Sequence, residues 1–194
     1  MCQAPNDRRI ESYKIDVDSL IIVNHIDTKN NWQERRKILL PTVSTSFCDM
    51  LTAVESNRSL GMFKPSHIDF SYEKAPSVKE KRRKACYSQL QFFNEQKQAI
   101  ERIPFDFYYH FQCLDSPECN GHKLPIFDWE IVESFRKWRH IYRTQAELLE
   151  KIRERWLTRI CSSKNDIYFF VGNIQRFKDQ FMVLGVFYPK RDKC

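Results

Sequence analysis

Three residues with metal-binding side chains lie within ten positions of one another: Cys113, Cys119 and His122. Thiolate sulfur and imidazole nitrogen are ligands that zinc accepts in tetrahedral geometry. Pro117 and Gly121 fall between them and favour the tight turns that would fold the ligands inward. The spacing predicts a Zn²⁺ site in a loop at residues 113–122.

The local sequence does not give the fourth ligand of this site. Cys48, Cys86, Cys161 and His110 are of a suitable type, and a water molecule is the alternative. Four protein ligands would make a structural site, whereas an open position would make a catalytic one. We take the zinc ion as a structural cofactor. The competing interpretation is a pair of buried cysteines and a turn histidine without a metal.

Two carboxylates follow the cysteine loop, at Asp128 and Glu130. Together with His122 they could hold a hard cation and activate water, as a metal-dependent nuclease or phosphohydrolase would require. The simpler interpretation is that Asp128 caps a helix and that Glu130 lies in its first turn, where a negative charge is favourable. We favour the capping interpretation and keep the catalytic one as an alternative.

A basic surface is the third candidate site. The chain has a net charge of +7, and a basic excess favours partners that carry phosphate. The candidate nucleic-acid-binding residues are Lys79, Lys81, Arg82, Arg83, Lys84, Lys123, Arg136, Arg139 and Arg143. Solvated helix faces, or a scaffold surface that meets other proteins, would give the same pattern.

The candidate residues lie in or beside segments whose sequence patterns predict helices and strands. Together these segments predict an α+β fold, with a mainly antiparallel sheet and two late amphipathic helices on one face. A strand at 105–112 precedes the cysteine loop. One helix begins at Asp128, and a capping-box pattern at 144–147 opens a second. Apolar runs at 167–172 and 181–188 predict two paired strands.

The remaining segments are less distinctive. We expect a flexible lead-in at 1–12 and a single α+β domain at 13–190. Within the domain the patterns predict a strand at 13–25, a short helix capped by Thr45 or Ser46, a loop at 58–65, a strand at 68–72 and a helix after the charge run at 79–84.

Composition excludes several classes of protein. The 194 residues include only 4 Gly, which argues against a glycine-rich nucleotide-binding loop, and 7 Cys, an odd number that does not predict a secreted disulfide framework. No apolar run reaches the length of a membrane helix, and the N-terminus lacks the apolar core of a signal peptide. We therefore expect a cytoplasmic protein without a membrane partner.

The cysteine loop and its surroundings read C-x5-C-x-G-H…DWE over residues 113–130, with SLGMFKP before it at 59–65 and FVGN…GVFYP after it at 170–189. In these motifs the chain resembles an uncharacterised family of small prokaryotic proteins, over about residues 8–190. The resemblance implies a prokaryotic, cytoplasmic setting and a shortened N-terminus, but no reaction. We expect a zinc-stabilised nucleic-acid-binding protein, such as an accessory subunit in nucleic-acid processing or anti-invader defence, with DNA or RNA as partner.

Overall fold

The structure is a computed structural model, and it describes residues 2–3, 9, 13–14, 16–52, 58–75, 103–114, 118–174 and 177–192. In chain order the strands are β1 (Cys2–Gln3), β2 (Tyr13–Lys14), β3 (Val43–Ser44), β4 (Leu60–Phe63), β5 (Pro65–Lys74), β6 (Phe105–Cys113), β7 (His122–Pro125), β8 (Tyr168–Ile174) and β9 (Phe177–Phe187). The helices are α1 (Lys29–Leu39), α2 (Phe47–Thr52), α3 (Trp129–Trp138) and α4 (Gln145–Arg153), which continues as a π-helix over Glu154–Ile160.

The strands form separate sheets. β5, β6 and β7 make an antiparallel sheet in that order, and β3, β4, β8 and β9 make a second sheet in which only β3 and β4 run parallel. β1 and β2 pair with each other. The predicted α+β class and the mainly antiparallel strands are confirmed, with the strands divided between sheets rather than joined in one.

Aromatic side chains join the two larger sheets in a common core. The ring of Tyr109 on β6 stacks on Phe169 of β8 at 4.7 Å, and Phe111 of β6 lies 5.1 Å from Phe63 of β4. Successive strand residues point to opposite faces, so the buried set on β6 is every second residue: Phe107, Tyr109, Phe111 and Cys113. One face of the three-stranded sheet therefore faces the core, and strand β6 ends at the buried Cys113.

The two late helices cover this core, as predicted. Asp128 caps α3, and Thr144 caps α4 by accepting a hydrogen bond from the Glu147 amide at 3.2 Å. Their buried stripe consists of Ile131, Phe135, Leu148, Leu149, Ile152, Trp156 and Ile160. None of the helices in the described ranges has the length and apolar composition needed to cross a membrane.

Two of the predicted segments are wrong. Residues 60–63 form strand β4 rather than a loop, because they pair antiparallel with β8. Gly61 has a packing role within this strand, since a Cβ there would lie 2.1 Å from Cε of Met50. The strand predicted at 13–25 pairs only at Tyr13–Lys14, and Ile22 beyond it is 93% exposed. β-branched residues favour a strand where a partner strand pairs with them, and among the described residues no strand pairs with 16–25. The charge run at 79–84 and the helix expected after it lie outside the described residues.

Asp166 connects α1 to the four-stranded sheet. Its carboxylate accepts a hydrogen bond from the Tyr168 hydroxyl at 2.8 Å and pairs with the Lys64 ammonium at 2.5 Å, and Arg36 of α1 lies 3.8 Å away. Burial acts to raise the pKa of Asp166, but the hydrogen bonds from Lys64 and Tyr168 outweigh it and hold the pKa below its ordinary value. The ionised carboxylate therefore stabilises the folded state.

Replacing Asp166 by asparagine is expected to lower the free energy of unfolding by about 2 kcal/mol at neutral pH, since the hydrogen bonds it loses involve a charged group. Because the folded-state pKa is lowered, this stabilisation is present above the ordinary carboxyl pKa of about 4 and is lost as the pH falls through the folded-state value. Denaturant unfolding at several pH values measures both effects.

The matched control is Asp192→Asn. The Asp192 side chain is 78% exposed and pairs with Arg36 at 2.9 Å, so its replacement should change the free energy of unfolding by less than about 1 kcal/mol. An equal decrease in the free energy of unfolding of the two variants would show that the hydrogen bonds of Asp166 do not stabilise the fold more than an exposed ion pair does.

Candidate metal centre

Four metal-binding side chains meet where α2, β6 and β7 come together. Sγ of Cys48 and Sγ of Cys119 lie 3.3 and 3.2 Å from Nε2 of His122. Sγ of Cys113 lies 3.6 Å from the Cys48 sulfur and 3.6 Å from the same imidazole nitrogen. All four ligand atoms lie within 4.8 Å of one another, and the three cysteines are free thiols. This Cys3His cluster is close enough to hold a metal ion.

Three of the ligands are placed by one hairpin-like connection. Cys113 is the last residue of β6 and His122 is the first residue of β7, and the two strands pair antiparallel. Cys119 lies between them. Gly121 has a φ of +91°, a left-handed backbone angle that residues with a Cβ rarely adopt, so glycine is required where the loop turns back to His122.

The fourth ligand comes from α2. Ser46 precedes this helix, and its hydroxyl accepts a hydrogen bond from the Asp49 amide at 3.0 Å. The neighbouring Phe47 and Met50 are buried in the core, so the helix is anchored on one side. Cys48 lies half-buried at the edge of this anchored turn and faces the hairpin.

Aromatic rings enclose His122. The Phe47 ring lies edge-on to the imidazole at 4.8 Å, and the Phe111 ring lies 5.3 Å from it. Burial lowers the pKa of His122. At neutral pH the imidazole is therefore uncharged, which is the form that binds a metal.

The three thiols lie so close together that their ionised forms would repel one another, and a bound cation would offset this repulsion. Burial, together with the neighbouring sulfurs of Cys113 and Cys119, raises the pKa of Cys48 to about 12. Burial also acts to raise the pKa of Cys119, but hydrogen bonds from the backbone amides of Cys113 and Gly121 outweigh it and lower that pKa. Adjacent thiolates repel one another, so ionising all three requires a positive charge among them.

The donor set fits a tetrahedral zinc ion. Bond lengths of about 2.3 Å to sulfur and 2.0–2.1 Å to nitrogen place tetrahedral ligand atoms roughly 3.5–3.8 Å apart. The closest measured separations in the cluster, 3.2–3.6 Å, are near this range. Four protein donors complete a tetrahedron without a water molecule, which is the arrangement of structural sites rather than catalytic ones.

The predicted trio of Cys113, Cys119 and His122 is thus brought together, and Cys48 is the fourth member of the group. The other candidates for that place are used elsewhere or are not described. His110 is hydrogen-bonded to the Ser71 hydroxyl at 2.7 Å. Cys161 lies outside the cluster, and burial raises its pKa to about 12. Cys86 lies outside the described residues.

Asp128 acts as a helix cap. Its Oδ1 accepts a hydrogen bond from the Glu130 amide at 2.8 Å, and the Glu130 carboxylate, 68% exposed, lies 3.9 Å from the Arg155 guanidinium. The capping interpretation is confirmed. In the ranges that the structure covers, the Cys3His cluster is the one group of three or more metal-type side chains, and neither carboxylate belongs to it. A catalytic role for His122, Asp128 and Glu130 stays a hypothesis.

The candidate nucleic-acid-binding residues fall into different surroundings. Arg136 keeps only 16% of its side chain exposed, pairs with Glu133 and packs on the Trp129 ring at 5.5 Å, so it is less available than an exposed ridge requires. Arg139 and Arg143 are exposed and border the same cavity of about 440 Å³ at the start of α4.

The other two groups of basic candidates differ from these arginines. Lys123 lies on β7, with its ammonium 4.4 Å from the Tyr108 ring centre and hydrogen-bonded to Glu73. Lys79, Lys81, Arg82, Arg83 and Lys84 lie outside the described residues.

Comparisons with known proteins identify families without an assigned function. Residues 43–194 match the family model for a domain of unknown function, DUF8757, and residues 1–41 match that for another domain of unknown function, DUF8758. No curated protein and no solved structure matches the chain. The expected resemblance to an uncharacterised family is confirmed. Because the first match covers most of the chain and contains all four residues of the Cys3His cluster, the protein belongs to the DUF8757 family of domains of unknown function.

Proposed function

We propose that this protein is a zinc-stabilised nucleic-acid-binding protein of the cytoplasm. The observation that carries the proposal is the Cys3His cluster, in which ligands from α2, β6, β7 and the loop between these two strands form a complete set for a structural ion. Three soft sulfur ligands and one imidazole favour Zn²⁺ over the hard cations that carboxylates bind. A reducing compartment suits these three free thiols, which would otherwise be open to oxidation.

Charge supports the nucleic-acid part of the proposal. The chain carries a net charge of +7, which attracts a phosphate backbone over long range. Arg139 and Arg143 border one cavity together with Thr144 and Gln145, at the N-terminal end of α4. Two guanidinium groups beside the positive end of a helix dipole favour an anion. We assign phosphate contacts to these arginines. Lys123 and Arg136 are each paired with a glutamate and are assigned as lesser contacts.

Replacing Arg139 and Arg143 together by alanine is expected to weaken binding to labelled oligonucleotides by about the same factor for every sequence, because phosphate contacts carry no base information. The slope of log K against log salt should fall by about 0.7–0.9 for each lost phosphate contact. Fluorescence anisotropy over a series of salt concentrations, with single-stranded and duplex DNA and RNA, measures the affinity and the slope.

The control for this variant is Arg159→Ala. The Arg159 side chain is 70% exposed, but two of its nitrogens bond the Glu154 carboxylate, at 2.7 and 3.2 Å, so its charge is already compensated. Its replacement should leave affinity and slope nearly unchanged. Wild-type protein that binds none of these oligonucleotides would overturn the nucleic-acid assignment.

A scaffold function is the second candidate, and an exposed apolar run favours it. Ile21, Ile22 and Val23 are 82%, 93% and 90% exposed, which is unusual for three consecutive large apolar residues. Such a segment suits burial against a protein partner. Absence of nucleic-acid binding, with a partner retained after nuclease treatment, would select this candidate. A prokaryotic origin remains part of the proposal and rests on the resemblance alone. A role in nucleic-acid processing or defence is also part of the proposal, and it rests on the Cys3His cluster and the basic charge.

A further inference from the structure

A second cavity, of about 320 Å³, lies between α1, the π-helix and β9, and none of the cluster ligands lines it. Its volume is within the range of small-molecule sites. Aromatic side chains form much of its wall: Trp32, Trp156, Phe170, Phe187 and Tyr188. Trp156 and Phe187 are almost fully buried, so the half-buried Trp32, Phe170 and Tyr188 are the ones that offer aromatic surface against which a planar ring could stack.

Two unusual backbone conformations meet at this cavity. Trp32 has a φ of +60°, and the preceding Asn30 and Asn31 are left-handed as well. Asn31 holds this turn in place, since its side chain exchanges two hydrogen bonds with the Lys190 backbone, at 2.8 and 2.7 Å. Trp156, which also lines the cavity, belongs to the π-helix. Left-handed non-glycine residues and π-helices are both rare, and both concentrate at functional sites.

Trp32 is held open to the cavity by this turn. Its ring packs edge-on against Phe187 at 5.3 Å and in a tilted arrangement against Tyr188 at 5.2 Å, and the residue remains half-buried. Arg35, one helical turn further along α1, lies 5.3 Å from the centre of the same ring. The Trp32 indole is thus held in place at the edge of the cavity by the two aromatic rings and by the Arg35 guanidinium.

A carboxylate oxygen without a hydrogen bond faces the same space. Oδ1 of Asp128 caps α3, whereas Oδ2 accepts no hydrogen bond from any residue that the structure describes. Gly185 lies on the opposite side: a Cβ there would meet only this oxygen, at 3.9 Å. The absence of a side chain at Gly185 keeps the approach to Oδ2 open. Glu130 adds a second carboxylate at the rim.

The flanking charges favour a neutral ring that donates hydrogen bonds over a cationic ligand. An aromatic wall with carboxylates could also hold an ammonium group. However, Arg35 borders the cavity and Arg155 lies 3.9 Å from Glu130, so two guanidinium groups oppose a further cation. Arg35 bonds the Ile26 carbonyl through Nε and Nη2, which leaves its other amino group for a phosphate attached to the ring.

We propose that this cavity binds one unpaired nucleobase that carries an exocyclic amino group, stacked on Trp32 and donating that amino group's hydrogen bond to Asp128. The inference rests on the proposed nucleic-acid function and adds a base preference to it. A carboxylate accepts from the N4 amino group of cytosine, whereas uracil presents a carbonyl oxygen at the same position, which a carboxylate repels. Cytosine and uracil are therefore the matched probes.

The test compares short single-stranded oligo-C and oligo-U RNA by fluorescence anisotropy, with CMP and UMP as mononucleotide probes that quench tryptophan fluorescence. Wild-type protein should bind oligo-C about tenfold more tightly than oligo-U. Asp128→Asn should abolish this preference. Asparagine caps a helix as well as aspartate does, so the variant should keep its melting temperature. Trp32→Ala should weaken both oligonucleotides and remove the quenching by CMP.

The outcomes separate this inference from the function on which it rests. Equal affinity of the wild type for oligo-C and oligo-U would overturn the base pocket and leave the nucleic-acid assignment intact. Binding of neither would overturn both. Displacement of CMP by millimolar tetramethylammonium would show that the cavity selects a cation and would also overturn the inference. Replacement of Arg139 and Arg143 should weaken the binding of oligo-C and oligo-U by the same factor and keep the preference for oligo-C. This result would support a phosphate contact at the arginines that is separate from the base pocket.

Discussion

Replacing Cys48 by serine is expected to abolish stoichiometric zinc binding and to cause a large loss of stability. Cys48 supplies one of four ligands from an element remote in sequence, so its loss opens the tetrahedron and frees α2 from the hairpin. A ligand that binds only the folded state contributes about 4 kcal/mol when its free concentration is a thousand times its Kd. Elemental analysis and thermal unfolding of the purified variant measure the two effects.

Cys161→Ser is the control for this experiment. Cys161 is also a half-buried free thiol, but it lies outside the cluster. Its replacement should leave one zinc ion bound per chain and should change the stability much less. Chelation should destabilise the wild type and the Cys161 variant, and it should have little further effect on the Cys48 variant. Wild-type protein that contains no metal, or a Cys48 variant that keeps it, would rule out the assignment.

Local spacing was sufficient to find most of the metal cluster, but not all of it. Cys113, Cys119 and His122 lie within ten residues, so the antiparallel pairing of β6 and β7 is enough to bring them near one another. Cys48 is 65 positions from Cys113. Its approach depends on how α2 packs through Phe47 and Met50, which only the tertiary fold determines. The short helix itself could be predicted from its cap and its apolar spacing.

The late helices were predictable for a similar reason. The caps at Asp128 and Thr144 are local hydrogen bonds between a side chain and a nearby amide, and the apolar stripes are regular. The exposure of a particular arginine side chain depends on its packing in the folded protein, which the spacing of residues in the sequence does not give. Arg136 points toward Trp129 and Glu133 on its own helix and is largely covered, whereas Arg139 and Arg143 remain exposed. Sequence spacing placed all three on one ridge.

The left-handed turn at the start of α1 is the feature that sequence alone could least predict. Asparagine tolerates such angles, but Trp32 does not favour them. The turn depends on hydrogen bonds between Asn31 and Lys190, residues 159 positions apart, and on the rings of Phe187 and Tyr188. Because these contacts join the region matched by one family model to that matched by the other, neither segment specifies the turn by itself.

Trp156→Ala is expected to be the most destabilising single substitution outside the metal centre. Trp156 is 1% exposed, packs against Trp138 at 6.3 Å, and its carbonyl accepts the buried Tyr109 hydroxyl at 3.1 Å. Burial of Tyr109 raises the pKa of its hydroxyl well above the ordinary value, so this group stays protonated and donates. Removing a buried tryptophan side chain costs about 3–5 kcal/mol through lost contacts and the cavity left behind.

Trp129→Ala is the control for Trp156→Ala, since it removes an exposed indole instead of a buried one. Trp129 is 57% exposed, and the Arg136 guanidinium lies 5.5 Å from its ring centre, an interaction that contributes about 0.5–1 kcal/mol at an exposed site. Denaturant unfolding of both variants should show a difference of several kcal/mol between them. Similar values would mean that the buried packing of Trp156 contributes no more to stability than the exposed packing of Trp129.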